Sequence, residues 1–194
     1  MVMHPSGGNF EHLLKISALI MGTHTLAIIS IPFTLYGFWG LTKKLSGDEF
    51  FSKVAFSTIL LGMFAVMCAA AINGLAMPMY ISLYKDAAKD IGDSIRPVIY
   101  YSSALNHAFD LVFIGAVCMA ITMWSIAIFR TRELPGWTAY FGIILSLTAI
   151  FSLYMGFVFV DLTGFRVFIA GLTIWTICIG TLLAKKVSVI TPIV

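Results

Sequence analysis

PVIYYSSALNHAFDLVFIGAVCMAITMWSIAIF, residues 97–129, is the stretch whose reading decides the fold. Asp110 is its only charged side chain, and Arg96 and Arg130 stand at its two ends. The run exceeds the about 20 apolar residues that a helix needs to cross a hydrocarbon core. It also lacks the period-two alternation of a barrel strand. Because backbone polar groups in lipid must be satisfied within the segment, the stretch reads as a transmembrane helix.

Outward from it, the remaining charges act as punctuation and delimit four more apolar runs, at 13–41, 51–84, 137–160 and 162–184. The expectation is an all-α, polytopic membrane protein with five transmembrane helices in one bundle, residues 1–194 forming a single integral membrane domain. Composition agrees. Of 194 residues, 60% are hydrophobic and 11% charged, and the mean hydropathy is +0.98, whereas an ordinary soluble domain has about 25% charged residues. Twelve basic and nine acidic side chains give a net charge of +3, too small and too dispersed for a nucleic-acid footprint.

The boundaries carry helix chemistry as well as charge. Ser46-Gly47-Asp48-Glu49 has capping-box spacing ahead of the second span, and Pro97 suits the first turn of the third. Pro135-Gly136 breaks the chain before the fourth span, and Pro78 predicts a kink or an exit into water late in the second. Pro32 allows a kink in the first span. The amino terminus lacks the basic start and short apolar region of a cleavable signal peptide, so the first run reads as a retained span. Cys68, Cys118 and Cys178 lie inside apolar runs with no CxxC or CxxCH pattern. They read as small core residues rather than a disulfide framework.

An odd number of spans places the termini on opposite sides. Lys43, Lys44, Lys53, Arg130, Arg132, Lys185 and Lys186 gather on one side; Lys15, Lys85, Lys89, Arg96 and Arg166 gather on the other. The first group is larger and more tightly clustered beside the span ends, which predicts an outside amino terminus and a cytoplasmic carboxyl terminus. The segment 85–96, with Asp86, Asp90 and Asp93, would then lie outside as a short amphipathic surface element.

Ionisable groups inside spans usually face the bundle interior. His24 and His107 lie about 16 and 15 Å into two parallel spans at ~1.5 Å per residue, and Asn73 falls in the same outer half. Ser103, Asn106, His107 and Asp110 are three or four residues apart and are expected to form one inward stripe. In it Asp110 would accept a hydrogen bond from His107. Ala65, Ala69 and Asn73 in the second span, and Gly142 and Ser146 in the fourth, recur every four residues and would let helices approach closely. Tyr80, Tyr100, Tyr101 and Tyr154 read as an interfacial belt. Arg166 beside Asp161 reads as a snorkelling ion pair, or as an anion anchor at the mouth of the polar region.

Four readings of this polar set follow. It could be an interhelical network that fixes register. It could be an outward-facing pocket or permeation route, as in a small transporter or proton-coupled permease, although no inverted repeat is visible. It could be a b-type haem site held by His24 and His107. It could be a metal site made by His24, His107 and Asp110, although no in-span glutamate supplies a general base. There is no Walker loop, GxSxG elbow or HExxH. The expected function is a non-catalytic small-ligand-binding or accessory subunit of a membrane complex, surrounded by lipid, with partner subunits or further copies of itself.

His24-Thr-Leu-Ala-Ile-Ile-Ser-Ile-Pro32 through Gly37-Phe38-Trp39-Gly40, and Pro135-Gly136-Trp137 through Gly142, resemble the uncharacterised small multi-span inner-membrane proteins of bacteria. The resemblance implies a bacterial plasma-membrane location. It implies no activity and carries over no functional residues.

Overall fold

The structure is a computed structural model that describes residues 10–85, 91–155 and 162–187. Its elements are α1 (Phe10–Lys44), α2 (Glu49–Ala71), a π-helical turn (Ile72–Ala76), α3 (Met77–Ser82), α4 (Ile91–Thr131), α5 (Gly136–Tyr154) and α6 (Leu162–Val187). No strand occurs among the described residues. Five stretches are long and apolar enough to cross a membrane: His12–Lys44, Glu49–Ser82, Ile95–Thr131, Gly136–Tyr154 and Arg166–Lys185. The protein is thus an all-helical, multi-pass membrane protein by length and composition.

Local chemistry sets the ends. Two lysines, Lys43 and Lys44, occupy the last turn of α1, where the helix dipole favours positive charge. The connection that follows is held by backbone bonds from Leu45 N–H to Leu41 O (3.0 Å) and Asp48 N–H to Leu45 O (3.0 Å). Asp48, rather than Ser46, stands immediately before α2 and accepts from Phe51 N–H at 3.5 Å. Pro135, in extended backbone, precedes α5, and its carbonyl accepts from both the N–H (3.0 Å) and the hydroxyl (2.7 Å) of Thr138. Pro97 does not open its helix. The chain is already helical at Ile91, and Pro97 lies inside α4. Residues 86–90 of the expected surface element lie outside the described residues, and 91–96 belong to α4.

At ~1.5 Å per residue the 35 residues of α1 and the 41 of α4 extend about 52 and 62 Å. The hydrocarbon core is only about 30 Å thick. α5, with 19 residues, matches that thickness, so the longer helices have length left for tilt or for projection into the headgroup layers.

By contact the chain divides into two compact units, Met1–Phe33 with Gly62–Ile114 and Thr34–Leu61 with Gly115–Val194. The borders cut through α1, α2 and α4 rather than through a linker. The second unit has an aromatic centre. Trp124 and Trp175 are fully buried, with ring centroids 6.4 Å apart and Phe38 stacked on Trp124 at 4.9 Å. Each indole N–H has an acceptor, as buried tryptophan requires: Trp124 donates to Thr42 Oγ1 (3.2 Å) and Trp175 to Thr138 O (3.1 Å). Gly142 and Ser146 let α5 approach α4 here. Ser146 Oγ donates to Cys118 O at 3.2 Å, and a Cβ on Gly142 would stand 2.5 Å from Ser125 Oγ and 2.9 Å from Trp175 Nε1.

Charges close one end of the same unit. Lys44 Nζ pairs with Glu133 at 2.8 Å, Arg130 Nε with Asp48 Oδ2 at 3.0 Å, and Lys53 with Glu49 at 2.8 Å. Arg130 also lies over the Phe51 ring, 5.4 Å from its centroid. The end of α1, the start of α2 and the α4–α5 turn are therefore tied together by opposite charges.

Candidate functional site

The polar set read from the sequence falls largely in the first unit, and its starting point is a proline. Pro78 has no N–H, and its ring crowds the carbonyl one turn earlier, so the helical ladder loses a bond there. The chain responds with the π-turn Ile72–Ala76, in which Met77 N–H reaches back to Ile72 O. The next donor along the helix would be Pro78. The turn lies where Asn73 turns its side chain to a neighbouring helix. π-Turns of this kind recur at functional sites.

Gly74, in the same turn, is buried against α1: a Cβ there would coincide with the Cβ and ring carbons of His24. Only a residue without a side chain permits that approach. The His24 ring is half-buried, and its Nδ1 lies 2.8 Å from Ile20 O. Since a carbonyl only accepts, Nδ1 carries the proton and Nε2 keeps its lone pair in the neutral ring.

Across from the π-turn, Ser102 Oγ–H donates to Asn73 Oδ1 at 2.7 Å. One turn along α4, Asn106 Nδ2 donates to Asp110 Oδ2, also at 2.7 Å. Ser102, Asn106 and Asp110 are 5%, 6% and 8% exposed, so Asp110 is a carboxylate removed from solvent. The ion pairs described, Lys44–Glu133, Lys53–Glu49 and Arg130–Asp48, do not include it. Among the described residues its hydrogen-bond partner is an amide.

The structure brings Asn73, Asn106 and Asp110 into one polar seam and does not bring Ser103 or His107 into it. Both of the latter are exposed. The reason is angular: successive α-helical residues are about 100° apart, so a seam centred on Asn106 takes in Ser102 and Asp110 and turns His107 aside. Asp110 accordingly takes its described hydrogen bond from Asn106 rather than from His107. Arg166 lies on the exposed surface of α6, and its expected partner Asp161 lies outside the described residues. Tyr100, Tyr101 and Tyr154 are exposed by 69%, 70% and 83%, while Tyr80 packs edge-on against Tyr84. Cys68, Cys118 and Cys178 are free thiols, Cys118 buried and the other two half-buried. Among the described residues no three His, Cys, Asp or Glu side chains converge as a metal site would require, so His24, His107 and Asp110 do not form a ligand set there.

No protein family, curated protein or solved structure matches the chain. Function has to be argued from the seam itself. One of its members, Ser102, and the adjacent Gly74 are missed by sequence reasoning. Ser102 was within reach, because Ser102, Asn106, Asp110, Phe113 and Val117 continue one stripe down α4, and all five are buried. Gly74 carries no such signal beyond its place four residues before Pro78.

Proposed function

We propose that the protein is a non-catalytic integral membrane protein of the bacterial plasma membrane that binds a small ligand at the Asn73–Ser102–Asn106–Asp110 seam, alone or as an accessory subunit of a membrane complex. The observation that carries this reading is Asp110, buried to 8% exposure with an amide, not a cation, as its described partner. A carboxylate in such surroundings is costly to keep for packing alone. Intramembrane ionisable groups are functional by default. The amino terminus lies outside in this proposal, supported by the larger basic group at the Lys43, Lys44, Arg130 and Arg132 end.

If the seam serves a ligand, its polar groups are not needed to hold the fold. A well-packed apolar replacement of a buried polar pair is often neutral or stabilising. The double variant Asn106→Leu with Asp110→Leu should therefore elute as a monodisperse species with a thermal midpoint at or above that of the wild type. A variant that fails to fold, while each polar side chain alone is tolerated, would establish the seam as a structural network instead.

One observation favours a second reading, a b-type haem on His24. Its Nδ1–H is held by a backbone carbonyl, which is how a metal-ligating imidazole is usually oriented, and Nε2 remains available. Protein produced with ample haem decides this: a stoichiometric Soret band establishes the cytochrome, and its absence rejects it.

A further inference from the structure

Where the α1–α2 turn meets the α4–α5 turn in the second unit, charged side chains border an open hollow of about 530 Å³, lined by Gly47, Asp48, Glu49, Arg130, Thr131 and Glu133. Its depth in the bilayer follows from α5. The 19 residues of that helix, about 28 Å at ~1.5 Å per residue, match the hydrocarbon core. Gly136 therefore marks one edge of the core, and Arg130, Thr131 and Glu133 stand just outside it. Trp137 and Trp39, 51% and 44% exposed, lie near the same level, as interfacial indoles do. The hollow thus opens in the layer of lipid headgroups.

Its lining presents both signs of charge, with hydrogen-bonding capacity unspent. Arg130 is held from two sides: its Nε lies 3.0 Å from Oδ2 of Asp48, whose side chain is 9% exposed, and its guanidinium lies over the Phe51 ring. The pair is one of charge. Asp48 Oδ2 has no hydrogen-bond donor, and no N–H of the Arg130 side chain makes a hydrogen bond among the described residues. A guanidinium fixed in place with its fork of N–H groups unspent suits a phosphate. Glu49 takes Lys53 on Oε2, and no described residue donates to its Oε1, which is left to accept from an ammonium. Glu133, paired with Lys44, adds a further carboxylate. Lys44, Lys53 and Arg130 balance Asp48, Glu49 and Glu133, so a ligand that itself carries one charge of each sign is matched. An anionic headgroup would bring no cation to the carboxylates.

We propose that this hollow binds the phosphoethanolamine headgroup of a membrane phospholipid, with the phosphate on the Arg130 fork and the primary ammonium on Glu49 and Glu133. The ammonium sets the specificity. A choline headgroup has the same phosphate and the same net charge but no N–H to donate, and a glycerol headgroup has no cation at all. The site belongs to the second unit and is independent of the polar seam.

The test uses the full-length protein, delipidated in detergent and offered equimolar dioleoyl phosphatidylethanolamine, phosphatidylcholine and phosphatidylglycerol. Bound lipid is counted by native mass spectrometry. The ethanolamine lipid should be retained over the choline lipid by about tenfold, the ratio that one charge-assisted hydrogen bond supplies. Glu49→Gln, at an exposed position whose Lys53 pair contributes little to stability, should bring the two lipids close to parity. Arg130→Lys keeps the charge beside Asp48 but not the fork, and should weaken both lipids alike. Parity of the two lipids in the wild type, a preference for phosphatidylglycerol, or an ethanolamine preference kept in Glu49→Gln overturns the proposal, and these readouts stand even if Arg130→Lys fails to fold. Soluble phosphoethanolamine that displaces the lipid at equal concentration overturns the membrane as the source of the headgroup.

Discussion

At Gly74 the α-carbon lies against the His24 side chain, and a methyl group there would occupy the same space as the imidazole's first carbons. Gly74→Ala is therefore expected to lower stability by about 1–3 kcal/mol, the usual cost of overpacking. Differential scanning fluorimetry of the purified protein measures it, and an unchanged midpoint would mean that His24 swings aside freely. Ser125 presents the opposite case. It is fully buried, and its hydroxyl has no hydrogen-bond partner among the described residues. An unsatisfied buried hydroxyl contributes a desolvation cost and no compensating bond, so Ser125→Ala should be neutral or stabilise by up to about 1 kcal/mol. A loss beyond about 1 kcal/mol would point to a buried water bonded to that oxygen. The two substitutions differ because one adds a methyl group to a filled contact and the other removes a polar atom with nothing to bind.

The end of α4 shows how a single residue's backbone limits an element. Arg132 follows the last helical residue with φ 54°, and its N–H donates to Ile128 O at 2.9 Å. This is the left-handed helix cap that glycine normally provides. A residue with a Cβ pays about 1–2 kcal/mol for that conformation, while glycine returns part of the gain through its freer unfolded chain. Arg132→Gly should accordingly stabilise by about 0.5–1 kcal/mol, and Arg132→Ala should not, which separates backbone strain from loss of charge in the same thermal assay. At this scale the sequence was most legible where charges bracket apolar runs: the five spans lie within a few residues of those boundaries except near 154 and 91. Two prolines give weaker signals. Pro97 suits a first turn, yet Gly92 and its neighbours are already helical, because one proline seven residues into a long helix is tolerated when the rest of the helix is packed. Pro78 signals a break, but its form, a π-turn that brings Asn73 to Ser102, depends on how α2 packs in its unit. The expected stripe on α4 holds at Asn106 and Asp110 and differs at its edges: Ser102 and Ser103 are indistinguishable locally, and only tertiary burial selects between them.

For the whole molecule, orientation is the property that its few charges govern. Lys44, Lys53 and Arg130 are each paired with an acid, but orientation follows lysine and arginine near span ends and is nearly indifferent to aspartate and glutamate. Pairing within the second unit thus leaves the basic excess at that end effective during insertion. The prediction concerns two lysines from opposite groups, Lys53 and Lys85, both exposed and both outside the aromatic centre of the second unit. In a background with Cys68, Cys118 and Cys178 replaced by Ala, Lys85→Cys in intact cells should react with a membrane-impermeant maleimide. Lys53→Cys should react only after the membrane is permeabilised. Lys53 is the more demanding probe, because a chain that inserts in both orientations would label partly at both positions, and one that inserts with the basic end outside would reverse the pattern. Either result would place the Lys85 end of the chain on the cytoplasmic side in at least part of the population, and a ligand reaching Asp110 would then have to be drawn from the cytoplasm rather than from outside.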